Sequence, residues 1–516
     1  MKKIHINYKS ISLALCLTLG WSACNDSFLE RAPRDAQSDA SFWKTEEDAT
    51  KFLIGTFRYL VQTENHTIMT DCYTDNAIPV HVFAEQGALS AGTATASNAH
   101  FLQLWNDAYS GIRRCLIYKE NIDKVTMSAD VKQSLTGEIK FLEAFFYTTL
   151  VKYMGGVPIL DHPLQLNEAV PERKTEKEVY AYISRLLDEA AAVLPISRDK
   201  SAYGRPTKGA ALALKARTAY YFHDYAAAEK ASKEVIDLKT YKLYDSYESL
   251  FLPEHENNAE VIFDRQYMEK APDRNLGSLI DQFFAPIVMG GWEALSPTQD
   301  LVDAYPCTDG KSIKESPLYN PEKPFENRDP RLSASILWDG QEIVDKKYVA
   351  EKKDGHSRTG YTMRKYINPK NDGQNEYGWT NFIFIRYAEV LLTYAEARNE
   401  QLGTPDEAVY DAVNKVRQRV KLPTLPNGLT KDQMREAIRL ERRLEFTFEG
   451  MYLFDTRSWK TTEIAVTKPV YGKRSTDKKP ILIEKRKFNP ERDYLWAIPL
   501  SEIDLSRGTL KQNPGY

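Results

Sequence analysis

The chain has 516 residues, with 69 Lys and Arg against 72 Asp and Glu, a formal net charge of -3, 42% hydrophobic residues and 11% aromatic ones. Basic residues are dispersed among acidic ones without a basic stripe, which argues against nucleic acid as a partner. The length accommodates two or three domains or one large helical domain with insertions, and after Leu19 no apolar run approaches the ~18 residues of a membrane span.

Met1 to Ala23 reads as a secretory signal: Lys2, Lys3 and Lys9 form a basic n-region, Ile11 to Leu19 an apolar h-region, and Ser22-Ala23 the small pair before a cut. Next comes Cys24, ahead of polar Asn25-Asp26. A cysteine at that junction is what bacterial lipoprotein maturation requires, because its thiol takes a diacylglycerol and its freed amine a further acyl chain. Each buried methylene contributes about 0.8 kcal/mol, so a multiply acylated terminus is a lasting anchor. Trp21 stands where Leu or Val is usual, and the alternative is an ordinary secreted protein cut near Ala23.

Apolar and small residues at three- and four-residue intervals then predict a mostly α skeleton. The helices expected are Asp48 to Thr63, Asn106 to Val125, Ala129 to Met154, Thr175 to Leu194, Thr207 to Phe222, Tyr225 to Leu238, Arg386 to Gln401, Pro405 to Val420 and Lys431 to Glu449. Thr175 with Glu178 predicts a capping box, and Gly155-Gly156 followed by Pro158 a helix stop. Thr207 to Leu238 and Arg386 to Val420 share one pattern, an Ala- and Tyr-rich helix, a short turn and a second helix, over roughly a tetratricopeptide unit. Stacked helical hairpins are implied. Between them Tyr241 to Phe384 is rich in Pro, Gly, Asn, Asp and aromatics, with Glu260 to Asp264 and Ser333 to Trp338 as short candidate strands. It reads as an irregular insertion into the helical frame, the kind of segment that carries function. Thr67 to Leu104 and Tyr452 to the C-terminus have the same character.

Of five cysteines, Cys16 leaves with the signal and Cys24 is acylated, and Cys72, Cys115 and Cys307 show no CxxC or metal-ligand spacing. One disulfide with a leftover thiol is one arrangement; three small buried apolar side chains is the arrangement expected. Glu441, Glu445 and Glu449 lie four apart and suggest the paired acids of a glycosidase. Arg442 and Arg443 interleave with them, so the reading here is an ion-pair network that locks the helix to its neighbours. There is no HExxH, GxSxG, Walker A or GxGxxG motif, and no two histidines stand four apart. No catalytic or metal site is therefore expected.

Aromatics carry the positive signal. A sugar ring packs its C–H face on a flat aromatic ring while Asn, Asp, Arg or Gln bind its hydroxyls. The candidate ligand residues are Trp292, which follows Gly290-Gly291; Trp338, beside Asp339; Trp379, near Asn381; and the early-loop group Asp71, Tyr73, Asp75, Asn76, His81 and Phe83. Trp43, Trp105, Trp459 and Trp496 are expected in the core.

Six stretches carry a family resemblance: CNDSFLERAPRDAQSDASFWKTEEDATKFLIGTF from Cys24, GEIKFLEAFFYTTLVKYMGGVPIL from Gly137, GRPTKGAALALKARTAYY from Gly204, IRYAEVLLTYAEARNE from Ile385, IRLERRLEFTFEGMYLFDTRSW from Ile438, and the terminal LKQNPGY from Leu510. Together, and in this order, the chain resembles the SusD/RagB family of nutrient-binding lipoproteins. The resemblance implies a mostly α fold with a framework of tetratricopeptide-like hairpins, four pairs in the family, and large loop-rich insertions. It also implies a lipid anchor in the outer membrane facing outward, and a SusC-like TonB-dependent transporter as partner. The organisation expected is a signal over 1–23 and a single SusD-like domain over 24–516. Within that domain the frame covers about 43–240 and 386–450, the ligand-binding insertion about 241–385, and an irregular segment 452–516. The function expected is non-enzymatic capture of oligosaccharide without a cofactor. The alternative is oligopeptide binding in a RagB-like uptake system, while an all-α glycoside hydrolase lacks its acid pair and a generic tetratricopeptide scaffold would leave Cys24 and the insertion unexplained. Replacing Cys24→Ala is expected to abolish metabolic incorporation of a clickable fatty acid and to mislocalise an intact fold; label retained on the variant would refute acylation at Cys24.

Overall fold

The computed structural model describes residues 42–60, 66–81, 85–269, 271, 276–350, 356–371, 377–473 and 479–516. Cys24 and the signal lie outside the described residues, as does Phe83. The long helices are α1 (Glu46–Thr56), α2 (Ala99–Asn121), α3 (Ala129–Met154), α4 (Glu176–Val193), α5 (Lys208–Tyr221), α6 (Tyr225–Asp237), α7 (Tyr387–Gln401), α8 (Glu407–Arg419) and α9 (Lys431–Glu445). Their starts are written in the sequence. Thr45, Thr175 and Thr430 each form a capping box with the residue three positions on. Ser128, Thr207, Asp224 and Asp406 each accept a backbone N–H of the first turn.

Consecutive helices stack from α2 to α6, and α6 then packs on α7, which packs on α8 and α9. The hairpin array is therefore continuous in space although 149 residues separate α6 from α7 in sequence. The insertion between them is closed at its base by its own ends, because Val261–Arg265 pairs antiparallel with Phe382–Arg386. Inside it are short antiparallel pairs, among them Ile336–Trp338 with Tyr361–Met363, and Leu295–Pro297 pairs back to Ala77–Pro79. The strand expected from Ser333 is shorter than its sequence suggests: Asp329 and Pro330 start a helix that runs to Ser335, and only Ile336–Trp338 is extended. α3 is apolar nearly all round and buried along most of its length, which is how a helix reads when neighbours surround it. Trp43, Trp105 and Trp496 are core residues as expected, and Trp459 is half-buried, donating to the Tyr220 hydroxyl at 2.8 Å. Cys72, Cys115 and Cys307 are free and buried.

The frame and the insertion are joined by buried charge. Arg386, at the end of its strand, donates to Glu445 (2.6 Å), Glu260 (2.7 Å) and both oxygens of Glu449 (2.6 and 2.7 Å). Arg331, from the insertion, reaches Glu441 (2.5 Å), Glu445 (3.0 Å) and Asp329 (2.8 Å). Arg419 bridges Glu260 and Glu445, Arg417 reaches Glu441, and the Lys365 ammonium reaches Glu449 at 2.5 Å. Five cations thus meet five carboxylates in a region where Arg331 and Glu445 have no exposed side-chain surface. Burial pushes the Glu445 carboxyl up, but Arg419, Arg386 and Arg331 override it and hold the group well below the usual carboxylate range.

An ion-pair network is what the sequence predicts here, but its partners differ. Arg442 forms a bidentate pair with Asp455 at 2.8 and 2.9 Å, and Arg443 turns to Asn76 and Asp300. Residues one apart on a helix point about 100° from each other, so Arg442 cannot answer Glu441 along the same face. Breaking a buried pair strands an uncompensated charge and costs about 3–5 kcal/mol. Glu445→Gln is therefore expected to lower unfolding free energy by about that much in a denaturant titration while leaving ligand affinity unchanged; stability equal to wild type would show that the network is not a structural joint.

Candidate functional site

Trp292 sits in the open where the backbone has been folded to expose it. Gly290 is in the left-handed region at φ 87°, and a Cβ on Gly291 would lie 2.2 Å from the Ala285 carbonyl oxygen, so the turn needs both glycines. The chain is then fastened back on the short helix Ile280–Phe284: Trp292 N–H donates to Gln282 O at 3.0 Å and Ala294 N–H to Phe283 O at 2.8 Å. The Trp292 ring meets Phe283 edge-on, with centroids 5.0 Å apart, and the residue keeps 45% of its surface exposed. An exposed Trp with a rigid backbone is a ready stacking platform.

A second loop joins the same element. Ser278 N–H donates to Gly378 O at 2.7 Å, which brings half-buried Trp379 and exposed Tyr377 to the segment that carries Trp292. Asp281 anchors a third strand of chain, accepting from Asn368 N–H (2.9 Å) and the Asn371 side-chain amide (2.8 Å). The Asn368 amide nitrogen and the Asn371 amide oxygen have no partner among the described residues, but both side chains are buried, so they brace the loops and do not face a ligand. From the other side Val80 N–H donates to Ala294 O at 2.9 Å and leads to half-buried His81 beside the Trp292 loop. Sequence reasoning missed Tyr377 and Phe283. The signal for Tyr377 was present in the run of Asn, Gly and aromatic residues from Asn368 to Trp379.

Four other candidates are not placed for a ligand. Tyr73 is only 6% exposed and its ring lies edge-on to Trp496. Asp71, Asp75 and Asn76 are buried as well: Asn76 donates to Asp71 at 2.6 Å, and Asp75 pairs with Lys468 at 2.7 Å and Arg443 at 3.3 Å. The segment enters the core because Arg486 supplies its carbonyls with donors, at 3.1 Å to Cys72 O and 2.7 Å to Thr74 O, so an irregular backbone is satisfied without water. These four residues are withdrawn from the ligand surface. Trp338 is half-buried with one ring face stacked on Phe325 at 4.0 Å, and Asp339 is turned to Ala350 N–H. Asn381 is buried and holds Asp264, so it does not face a ligand beside Trp379. Among the described residues no three His, Cys, Asp or Glu converge as a metal ion would need, and no helix is long and apolar enough to cross a membrane.

With known proteins the chain shares both sequence and fold. The profile of the SusD family matches residues 259–516, and a profile described as starch-binding and associating with the outer membrane matches residues 27–220. SusD-like protein P38 of Formosa agariphila is 27% identical over 489 residues, covering 89% of this chain and 93% of that protein. The crystal structure of a SusD-like protein from Bacteroides fragilis superposes with a TM-score of 0.83 at 33% identity, covering 94% of this chain and all of the other. A SusD-like carbohydrate-binding protein from the same organism has a TM-score of 0.84 at 27% identity, covering 91% and 99%.

Glu293, next to Trp292, gives the site a pH signature. It adopts φ 46° and buries its carboxyl, which accepts from Ser357 N–H at 2.9 Å. Burial dominates over that hydrogen bond and pushes the group from 4.5 up to about 7. A carboxyl raised in the folded state binds a proton that the unfolded chain has released, so its stabilisation is complete below pH 4.5 and is lost as pH rises through about 7. The change is on the order of 3 kcal/mol. Glu293→Gln is expected to flatten the decline of melting temperature between pH 5 and 8 relative to wild type; parallel profiles would show that Glu293 is already ionised in the fold.

Proposed function

We propose that this chain, which belongs to the SusD family, is a non-catalytic glycan-binding lipoprotein of the outer surface that captures oligosaccharides and passes them to a SusC-like TonB-dependent transporter. The observation that carries the reading is Trp292, an exposed indole on a glycine-built turn, with Tyr377 and Trp379 on an adjoining loop. Flat, accessible rings are the chemistry on which the C–H face of a sugar ring packs. The likeness to a carbohydrate-binding structure and to a starch-binding profile associated with the outer membrane supports the same ligand class and location. The acid triplet that would suggest hydrolysis is occupied instead by arginines and a lysine, so Glu441, Glu445 and Glu449 hold the fold together. Attachment through Cys24 would keep the binding face at the membrane surface, where a transporter could take the ligand over.

Loop aromatics should dominate affinity, since sugar hydroxyls only exchange water for protein partners at small net gain. On a ligand identified by a glycan and peptide array, Trp292→Ala is expected to weaken binding by about 1–3 kcal/mol, by analogy with base stacking on aromatic rings. The melting temperature should fall little, because the ring is exposed. Calorimetry and a melting curve read both. Unchanged affinity would remove Trp292 from the site, array binding confined to peptides would favour oligopeptide uptake, and release of reducing ends by the purified protein would overturn the non-catalytic reading.

A further inference from the structure

A second cleft opens on the helical frame, between the α4–α5 connection and the base of the insertion. Its volume is about 180 Å³, and Arg198, Tyr203, Arg205, Tyr241, Asn257 and Asp264 are among the residues that line it. That volume is the liquid share of about six waters, the bulk of a single sugar ring. Tyr203 stands 40% exposed, and Tyr241 lies half-buried with its hydroxyl 2.8 Å from Thr207 Oγ1.

What the protein has left unused decides the ligand. The acceptors of the cleft are taken: both Asp264 oxygens accept from Gln266 Nε2 at 2.7 Å, and the Asn257 and Gln266 amides bond each other reciprocally at 3.0 and 3.2 Å. Behind them fully buried Glu138 accepts from Arg198 Nη2 (2.7 Å) and from Arg205 Nη2 (2.6 Å) and Nε (2.8 Å). Two guanidinium groups thus share one carboxylate, and Nη1 of each has no partner among the described residues. Asp199, the acid beside Arg198, is turned to Ser201. Glu138 and Asp264 balance the two arginines in charge but are already engaged, so the cleft offers the unpartnered guanidinium N–H groups with aromatic surface beside them, and asks its occupant for acceptors. Charge-assisted contacts from guanidinium to carboxylate or sulfate are about twice as strong as neutral hydrogen bonds.

We propose that this cleft is a second ligand site, separate from the Trp292 surface, which takes a sugar residue bearing a carboxylate or sulfate group against Arg198 and Arg205, with Tyr203 beside the ring. The test uses the mature full-length protein, titrated by calorimetry and saturation-transfer NMR with glucuronate, glucose 6-sulfate, glucose and acetate. Glucuronate or glucose 6-sulfate should bind saturably, the tighter of the two identifying the anion, with glucose and acetate at least about tenfold weaker. Arg205→Gln should abolish the preference for the anionic sugar; because it also disturbs Glu138, exposed Tyr203→Ala is the decisive variant and should weaken binding about tenfold with an unchanged melting curve. Absence of saturable binding by either anionic sugar, glucose binding as tightly, or wild-type affinity in Tyr203→Ala would each overturn the proposal. None of these outcomes bears on Trp292, which is read with its own variant.

Discussion

Ten charged groups buried together are the constraint on which the remainder of this structure depends. A lone buried charge costs several kcal/mol, and only a complete set of partners offsets it. Arg331 comes from the middle of the insertion, Arg386 from its closing strand, Glu260 from its opening, Arg419 from the end of α8, and Glu445 from the end of α9. Each is compensated only when the others have arrived. The irregular insertion and the regular helices are therefore folded as one body, since a half-docked insertion would leave arginines facing apolar surroundings without counter-ions.

That rigidity is what gives the loops their use. Short strand pairs and turns have little intrinsic stability, but these emerge from a base that is closed by Val261–Arg265 against Phe382–Arg386 and pinned by Arg386 beneath it. A further clamp runs through the frame itself, where Arg217 of α5 holds Glu389 of α7 with two 2.5 Å contacts and also reaches Phe384 O. The turn that presents Trp292 can then keep a left-handed glycine and a non-glycine residue at positive φ, because the neighbouring backbone bonds leave no other arrangement. A platform held this way loses little entropy when a ligand settles on it.

The frame was legible in the sequence because its signals are local. The period of α3 and the Thr175 and Thr430 caps are read within four or five residues, and the family motifs extend that reading over the chain. The charge network was legible only as a tendency: the acids at 441, 445 and 449 showed that a polar face was buried, whereas partners in the network lie up to 159 residues from one another in sequence, as Arg419 and Glu260 do. Irregular segments were read less well. Lack of periodicity marks Thr67 to Leu104 and the Trp292 region alike, yet the first threads the core and the second does not. Arg486 makes the difference by satisfying carbonyls 412 and 414 residues earlier, and no local pattern announces it. Two glycines before Trp292 did announce a special backbone and an exposed ring, whereas nothing local announced that Tyr73 is buried.

The three free cysteines gain meaning from where burial has put them. Cys72 sits in the irregular segment, Cys115 on α2, and Cys307 in the insertion, bridged in backbone to Arg328. Burial pushes the Cys72 and Cys115 thiols well above their ordinary range, so neither presents a thiolate to an oxidant. Thiols are a hazard for a chain that lingers unfolded among oxidants, since any two can cross-link and a third can capture a neighbour. Here safety comes from timing: once the three regions have collapsed, oxidants and disulfide carriers arrive at a surface from which these sulfurs are missing.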